Sequence, residues 1–167
     1  TGIPPAMSTP HIRTELPGPN ARALIARDAE VISPSYPRDY PFVMSHGRGT
    51  QVWDVDGNRF LDFAAGIAVC STGHAHPPVV QARKGAADQV LHISNDYWHE
   101  EVSGLGERLA RIAPMKGGEA MSFLCQSGTE SVEAAIKLAR YVTGRPRFIG
   151  FLGGFPGRPV ASLSFTS

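Results

Sequence analysis

The alternation of apolar and polar positions divides the chain into an irregular start, a β region and a helix-rich second half. Asn20 can cap a short helix through about Asp28, with Leu24 and Ile25 as its apolar contacts. Phe42, Val43 and Met44 read as a short strand. Gln51 to Val55 alternates, and Asp56-Gly57 forms a two-residue turn into Arg59 to Asp62, a strong local signal for a β-hairpin. A helix is predicted from about Pro78 to Val90. Glu100 to Ile112 is a second, with Val102, Leu105, Leu109 and Ile112 on one face. Ser122 to Leu124, flanked by Met121 and Cys125, reads as a buried strand. It breaks at Ser127-Gly128-Thr129, after which Val132, Ala135, Ile136 and Ala139 recur at helical spacing. Ser127 with Glu130 makes a capping box, Arg140 lies in the last turn, and Gly144 is a natural stop. Arg147 to Phe151 reads as another buried strand, so strand, helix and strand make a right-handed parallel unit.

Proline marks where regular structure is excluded. Thr1 to Pro19 contains Pro4, Pro5, Pro10, Pro17 and Pro19 and reads as an extended arm. Ser33 to Pro41 holds three more and is no central strand. The expected organisation is an arm over 1–19, a small segment with the hairpin over 20–72, and the start of a larger domain over 73–167. Both ends read as those of a piece of a longer protein, since Thr1 precedes the first methionine, Met7, and Ser162 to Ser167 looks like the opening of another element.

Composition narrows the partners. The 167 residues are 42% hydrophobic, enough to favour a packed core over disorder. A net charge of +1 offers no argument for nucleic acid or an anionic membrane. Cys70 and Cys125 read as buried thiols, which fits a reducing cytosol and a cytoplasmic protein. No apolar run reaches the roughly 18 residues that span a bilayer.

The candidate chemistry begins at the Ser127 turn. The first turn of a helix carries unbonded N–H groups and the positive end of the helix dipole, which together favour an anion such as phosphate. Gly128 lets that anion approach the backbone. The simpler alternative is an ordinary joint with a good N-cap. In open α/β sheets, ligands sit beyond the C-terminal ends of strands. The Ser127 turn and the Phe155–Arg158 loop both follow such ends. Two metal readings are weak. Asp54, Asp56 and Asn58 lack the glycine position and closing glutamate of a calcium loop. Cys70, His74 and His76 have no second cysteine or carboxylate cluster beside them.

Five segments then stand in a familiar order: Gly49-Thr50-Gln51-Val52-Trp53-Asp54-Val55-Asp56-Gly57; Gly66-Ile67-Ala68-Val69; Gly73-His74-Ala75-His76-Pro77; Ser127-Gly128-Thr129-Glu130 running on through Arg140; and Gly154-Phe155-Pro156-Gly157-Arg158. With them the chain resembles the N-terminal part of a class III pyridoxal-phosphate-dependent aminotransferase, of the acetylornithine and 4-aminobutyrate type, over about residues 20 to 167. The resemblance implies a fold-type I enzyme and a homodimer. In this fold an α+β segment with a small antiparallel hairpin precedes the first strands of a three-layer α/β/α sheet, which is incomplete here. The implied reaction moves an amino group between an amino acid or ω-amine and a 2-oxo acid. By the same resemblance Ser127, Gly128 and Thr129 hold the phosphate of pyridoxal 5'-phosphate. Phe155 stacks on its ring, Arg158 pairs with the substrate carboxylate, and Ile67 lines the substrate pocket. A racemase, aminomutase or decarboxylase of the same family, or a non-catalytic domain that binds phosphate or a partner, are the alternative readings.

Two departures qualify the resemblance. Pro156 stands where the family usually has histidine, and proline fixes φ and removes an N–H. The family's Schiff-base lysine has no counterpart. Of the three lysines, Lys84 and Lys137 fall on predicted helices, Lys116 precedes a glycine pair, and none matches the lysine motif. The catalytic lysine is therefore expected past Ser167, and the 167 residues alone are expected to be inactive.

Overall fold

The computed structural model describes residues 10–35, 38–115 and 120–154. It divides into two compact units between Ile93 and Ser94.

The first unit is built on a three-stranded antiparallel sheet in the order β1 (Met44–Arg48), β2 (Gln51–Asp54), β3 (Arg59–Leu61). β1 lies later than the apolar run Phe42 to Met44, because its pairing residues His46, Gly47 and Arg48 carry no hydrophobic signal. The hairpin is present, but its turn differs from the two-residue form. The amide of Asp54 donates to the carbonyl of Asn58 at 3.0 Å, which leaves Val55, Asp56 and Gly57 in the loop. Gly57 has φ of 79°, the left-handed position that a three-residue hairpin loop reserves for glycine. The cause is the Asp54 side chain. Its Oδ1 accepts from the amides of Asp56 and Asn58 at 3.0 and 2.8 Å and draws Val55 into the turn.

This turn organises the rest of the unit. Asn58 is fully buried and Asp54 nearly so. Oδ1 of Asn58 accepts from the amides of Arg13 and Thr14, and its Nδ2 donates to Thr14 Oγ1 and Asp54 Oδ2. The described part of the arm is thus tied to the hairpin, and His11 exchanges both backbone hydrogen bonds with Arg59. Asp56 caps helix α1 (Pro19–Val31), its two carboxylate oxygens accepting from the amides of Asn20 and Ala21 at 2.9 Å. A carboxylate at a helix N-terminus satisfies orphan donors and complements the dipole. This remote cap takes the place of the Asn20 cap expected from the sequence: Asn20 lies inside the helix, whose N-cap is Gly18, and α1 runs on to Val31. Phe42 meets Phe60 edge-on at 5.2 Å, and His46 stacks on Trp53 at 4.7 Å.

One turn, α2 (Ala65–Ala68), is wound left-handed. Ala65, Gly66, Ile67 and Ala68 have φ of 48°, 64°, 61° and 61°. Only Gly66 is suited to this. Each other residue costs roughly 1–2 kcal/mol in that region. Ala68→Gly is expected to stabilise the unit by about 0.5–1 kcal/mol, because relief of that cost exceeds the extra unfolded-state entropy of glycine. In an ordinary helical turn the same change destabilises by about 1 kcal/mol. The sign of the shift in a denaturation midpoint decides between them. Helix α3 (Pro77–Ala87) follows, opened by Pro77 and Pro78 as read from the sequence and ending before Val90.

The second unit contains α4 (Glu100–Ile112) and α5 (Gly128–Thr143). α4 has the predicted bounds, but its apolar face is open, with Val102, Leu105 and Ile112 exposed. The two predicted strands of this unit are not formed. Residues 121–125 and 147–151 are irregular, and Met121, Phe123, Ile149 and Phe151 are largely exposed. A parallel strand needs neighbours for its hydrogen bonds and helices on both faces. Among the described residues these two segments have neither, so the strand–helix–strand unit is absent there. Cys70 and Cys125 are half-buried rather than buried. The buried apolar residues described are Ala21, Val52 and Ile136.

Candidate functional site

The site begins with the cap of α5. Ser127 is extended, with φ of −146°, and its Oγ accepts from the amide of Glu130 at 3.2 Å. The Glu130 carboxylate reaches back to the amides of Gln126 and Ser127 at 2.7 and 3.0 Å. This is the capping box expected from the spacing, and it does more than start the helix. Glu130 satisfies the two outer amides, while the first-turn amides have no intrahelical acceptor. The amides of Gly128 and Thr129 have no acceptor among the described residues. A Cβ placed on Gly128 would meet nothing within 4 Å, so the approach is clear. The hydroxyl hydrogens of Ser127 and Thr129 complete four donors on one helix turn. A phosphate monoester, with three acceptor oxygens and nearly two negative charges, fits that set.

The far end of α5 is equally well defined. Gly144 is left-handed at the C-cap, with φ of 64°, and its amide returns to Arg140. Arg140 donates to the Pro146 carbonyl at 3.1 Å and lies 5.4 Å from the Phe148 ring centre. α5 is thus capped at both ends. Lys84 and Lys137 are exposed on α3 and α5, as read from the sequence. Phe155, Pro156, Arg158 and Lys116 lie outside the described residues.

Ile67 belongs to the first unit and sits on the left-handed turn α2, 92% exposed. That turn is held by Asp62, to which motif reading gave no role, and by His74, which it placed in a motif without this contact. Asp62 Oδ1 accepts from the amides of Ala64 and Ala65 at 2.8 and 2.9 Å, and its Oδ2 meets His74 Nε2 at 2.6 Å. His74 is fixed in turn. Its amide and carbonyl bond Gly49 in both directions, and its ring lies where a side chain on Gly47 would stand, 2.6 Å from that Cβ position. The signal in the sequence is the run of glycines, Gly47, Gly49 and Gly73, around a histidine. His74 is therefore a hydrogen-bond partner of Asp62, and among the described residues no group of three or more His, Cys, Asp or Glu side chains is placed to hold a metal ion.

The His74 contact, then the Ala65 amide, hold the Asp62 carboxyl below its ordinary value of 3.8, against a smaller opposing effect of burial. A carboxylate whose pKa falls on folding contributes stability above its unfolded value and loses it as pH drops through the lowered one. The stability difference between the unchanged chain and Asp62→Asn is accordingly expected to shrink as the pH falls below about 4. Denaturation midpoints measured from pH 7 to 2 check this.

Comparison with known proteins follows the same outline. The family model for class-III aminotransferases matches residues 33–167. The acetylornithine aminotransferase of Methanopyrus kandleri is 46% identical over 127 residues, 76% of this chain and 32% of that protein. The alanine/serine racemase of Pyrococcus horikoshii is 36% identical over 163 residues, 96% of this chain and 34% of that protein. Among solved structures, an omega-transaminase from Sphaerobacter thermophilus is 32% identical with a TM-score of 0.74, covering 86% of this chain and 33% of that one. The chain spans about a third of the length of the relatives it matches.

Proposed function

The chain belongs to the class-III aminotransferases, a pyridoxal-phosphate-dependent family, and from that premise we propose that it supplies the phosphate-anchoring part of an aminotransferase. The parent reaction moves an amino group from an amino acid or ω-amine to a 2-oxo acid, in a homodimer. The observation that carries the reading is the open pair of amides at Gly128 and Thr129, on a helix whose outer amides are already occupied by Glu130.

The roles follow from the chemistry of each side chain. Gly128 and Thr129 donate their amides to phosphate oxygens, and the hydroxyls of Ser127 and Thr129 add two more hydrogen bonds. Bonds of this kind to an ionised acceptor are about twice as strong as neutral ones. Phe155 offers a flat apolar face to the cofactor ring. Arg158 is suited to a bidentate contact with the substrate carboxylate. Ile67 gives the substrate pocket an apolar wall. The arm, the hairpin segment and residues from 73 onward stand as the successive parts of a fold-type I subunit. When bound, pyridoxal phosphate acts as an electron sink for bond breaking at the amino-bearing carbon. The racemase likeness keeps a second outcome of the same chemistry open, since proton removal and return at that carbon is the step that racemisation shares.

The test uses pyridoxine 5'-phosphate, which carries the ring and phosphate but no aldehyde, so lysines do not react with it. Saturable binding to the chain is expected, weakened about tenfold or more by Thr129→Val, which keeps the side-chain shape and removes one charge-assisted hydrogen bond. Binding unchanged in the variant would overturn the assignment. With pyridoxal phosphate itself, borohydride reduction and mass spectrometry are expected to show no single stoichiometric adduct on Lys84, Lys116 or Lys137.

A further inference from the structure

The left-handed turn α2 is the most strained described segment, and strain persists only where the surroundings over-determine it. Three non-glycine residues in it, one of them β-branched, stay at positive φ. The β-branched residue is Ile67, the one proposed for the substrate pocket.

What over-determines the turn is visible. The Asp62 carboxylate holds the two amides that enter it, at Ala64 and Ala65. Within the turn, Ala68 and Val69 donate back to Ala64 and Ala65, and Cys70 also donates to Ala65. The second oxygen of Asp62 is held by His74, and His74 is anchored to the end of β1 through its two bonds with Gly49. A rotation of the Asp62 carboxylate would release both entering amides together. The side chains of Asp62 and His74 are only 12% and 15% exposed, so water competes poorly for the contact.

We propose that Asp62 and His74 are positioning residues: their pair locks the left-handed turn and so sets the direction in which Ile67 leaves the backbone. The purpose of that direction rests on the substrate-pocket reading of Ile67 given above. Neither residue touches substrate in this account.

The experiment is nuclear magnetic resonance on the isotope-labelled chain, with His74→Phe and Asp62→Ala as variants. Phenylalanine keeps a ring against Gly47 and the backbone bonds to Gly49, and removes only the partner of Asp62. In the unchanged chain, Ile67 and Ala68 are expected to show the strong contact between their own amide and α hydrogens that marks positive φ. In His74→Phe that contact weakens at Ile67, and exchange of the Ala64 and Ala65 amides rises at least tenfold. Val52 and Phe60 in the sheet keep their protection, which a general loss of structure would not allow. Asp62→Asn retains an acceptor for the two amides and should restore part of what Asp62→Ala loses. Should both variants fail to fold, the Ile67 signature in the unchanged chain decides, and its absence overturns the proposal. Ala64, Ala65 and Ile67 behaving alike in the unchanged chain and in a folded His74→Phe also overturns it. These readouts need no cofactor, so a failed phosphate titration leaves them intact and the two readings fall separately.

Discussion

Asn58→Ala is expected to abolish the folded hairpin unit at room temperature. The side chain is at the centre of a closed network, with four hydrogen bonds to Arg13, Thr14 and Asp54, and none of its surface is exposed. Alanine strips acceptors from two backbone amides and a donor from a carboxylate that is 4% exposed. Leaving a buried partner unsatisfied costs about 1–3 kcal/mol, and more when it is charged. Asp54 bears most of that cost, because the bonds to the Arg13 and Thr14 amides are only part-buried, and the losses together reach roughly 3–5 kcal/mol. A marginal unit of this size has on the order of 5 kcal/mol to lose, and among the described residues its buried apolar side chains are Ala21 and Val52. The polar turn, rather than hydrophobic burial, thus determines whether the unit forms. Disappearance of the cross-strand contacts between residues 51 and 61 is the expected result. A variant that unfolds within about 1 kcal/mol of the unchanged chain would contradict it.

Ser127→Ala is expected to damage both the helix and the anion site. Loss of the N-cap costs α5 about 1 kcal/mol and frees the Glu130 amide. Loss of the hydroxyl removes one of the four donors to phosphate, worth about tenfold or more in affinity. The two effects separate in Ser127→Gly, since glycine as an N-cap costs only a few tenths of a kcal/mol. That variant should keep the helix and still lose the affinity. Equal phosphate binding in Ser127→Gly and the unchanged chain would remove Ser127 from the site while leaving its capping role.

Local chemistry was easier to read from the chain than pairing. The capping box at Ser127 and Glu130, the bounds of α4 and the left-handed Gly144 all follow from residues within a few positions of one another. The hairpin was legible for the same reason, but its loop length was not, because the Asp54 side chain, lying outside the Asp56-Gly57 pair, decides it. Asp56 reads as a turn residue and also caps a helix 35 residues away, a role with no sequence signal. The apolar runs at 121–125 and 147–151 have the composition of buried strands, yet a parallel strand exists only beside its neighbours, and those are absent from the described residues. At the candidate site, the capped turn at Ser127 was legible and the Asp62–His74 pair was hidden. Twelve residues separate the two, and the left-handed turn they hold is made mostly of alanine and isoleucine, types that ordinarily avoid it.

The role proposed for the first turn of α5 is to bind the cofactor phosphate. Titration of the isotope-labelled chain with pyridoxine 5'-phosphate, following each amide, tests it most directly. Saturable shifts are expected to be largest at Gly128 and Thr129 and small at Gln126, whose amide Glu130 already holds, with no comparable change for unphosphorylated pyridoxine. Shifts of equal size with both compounds, or none at Gly128 and Thr129, would contradict it.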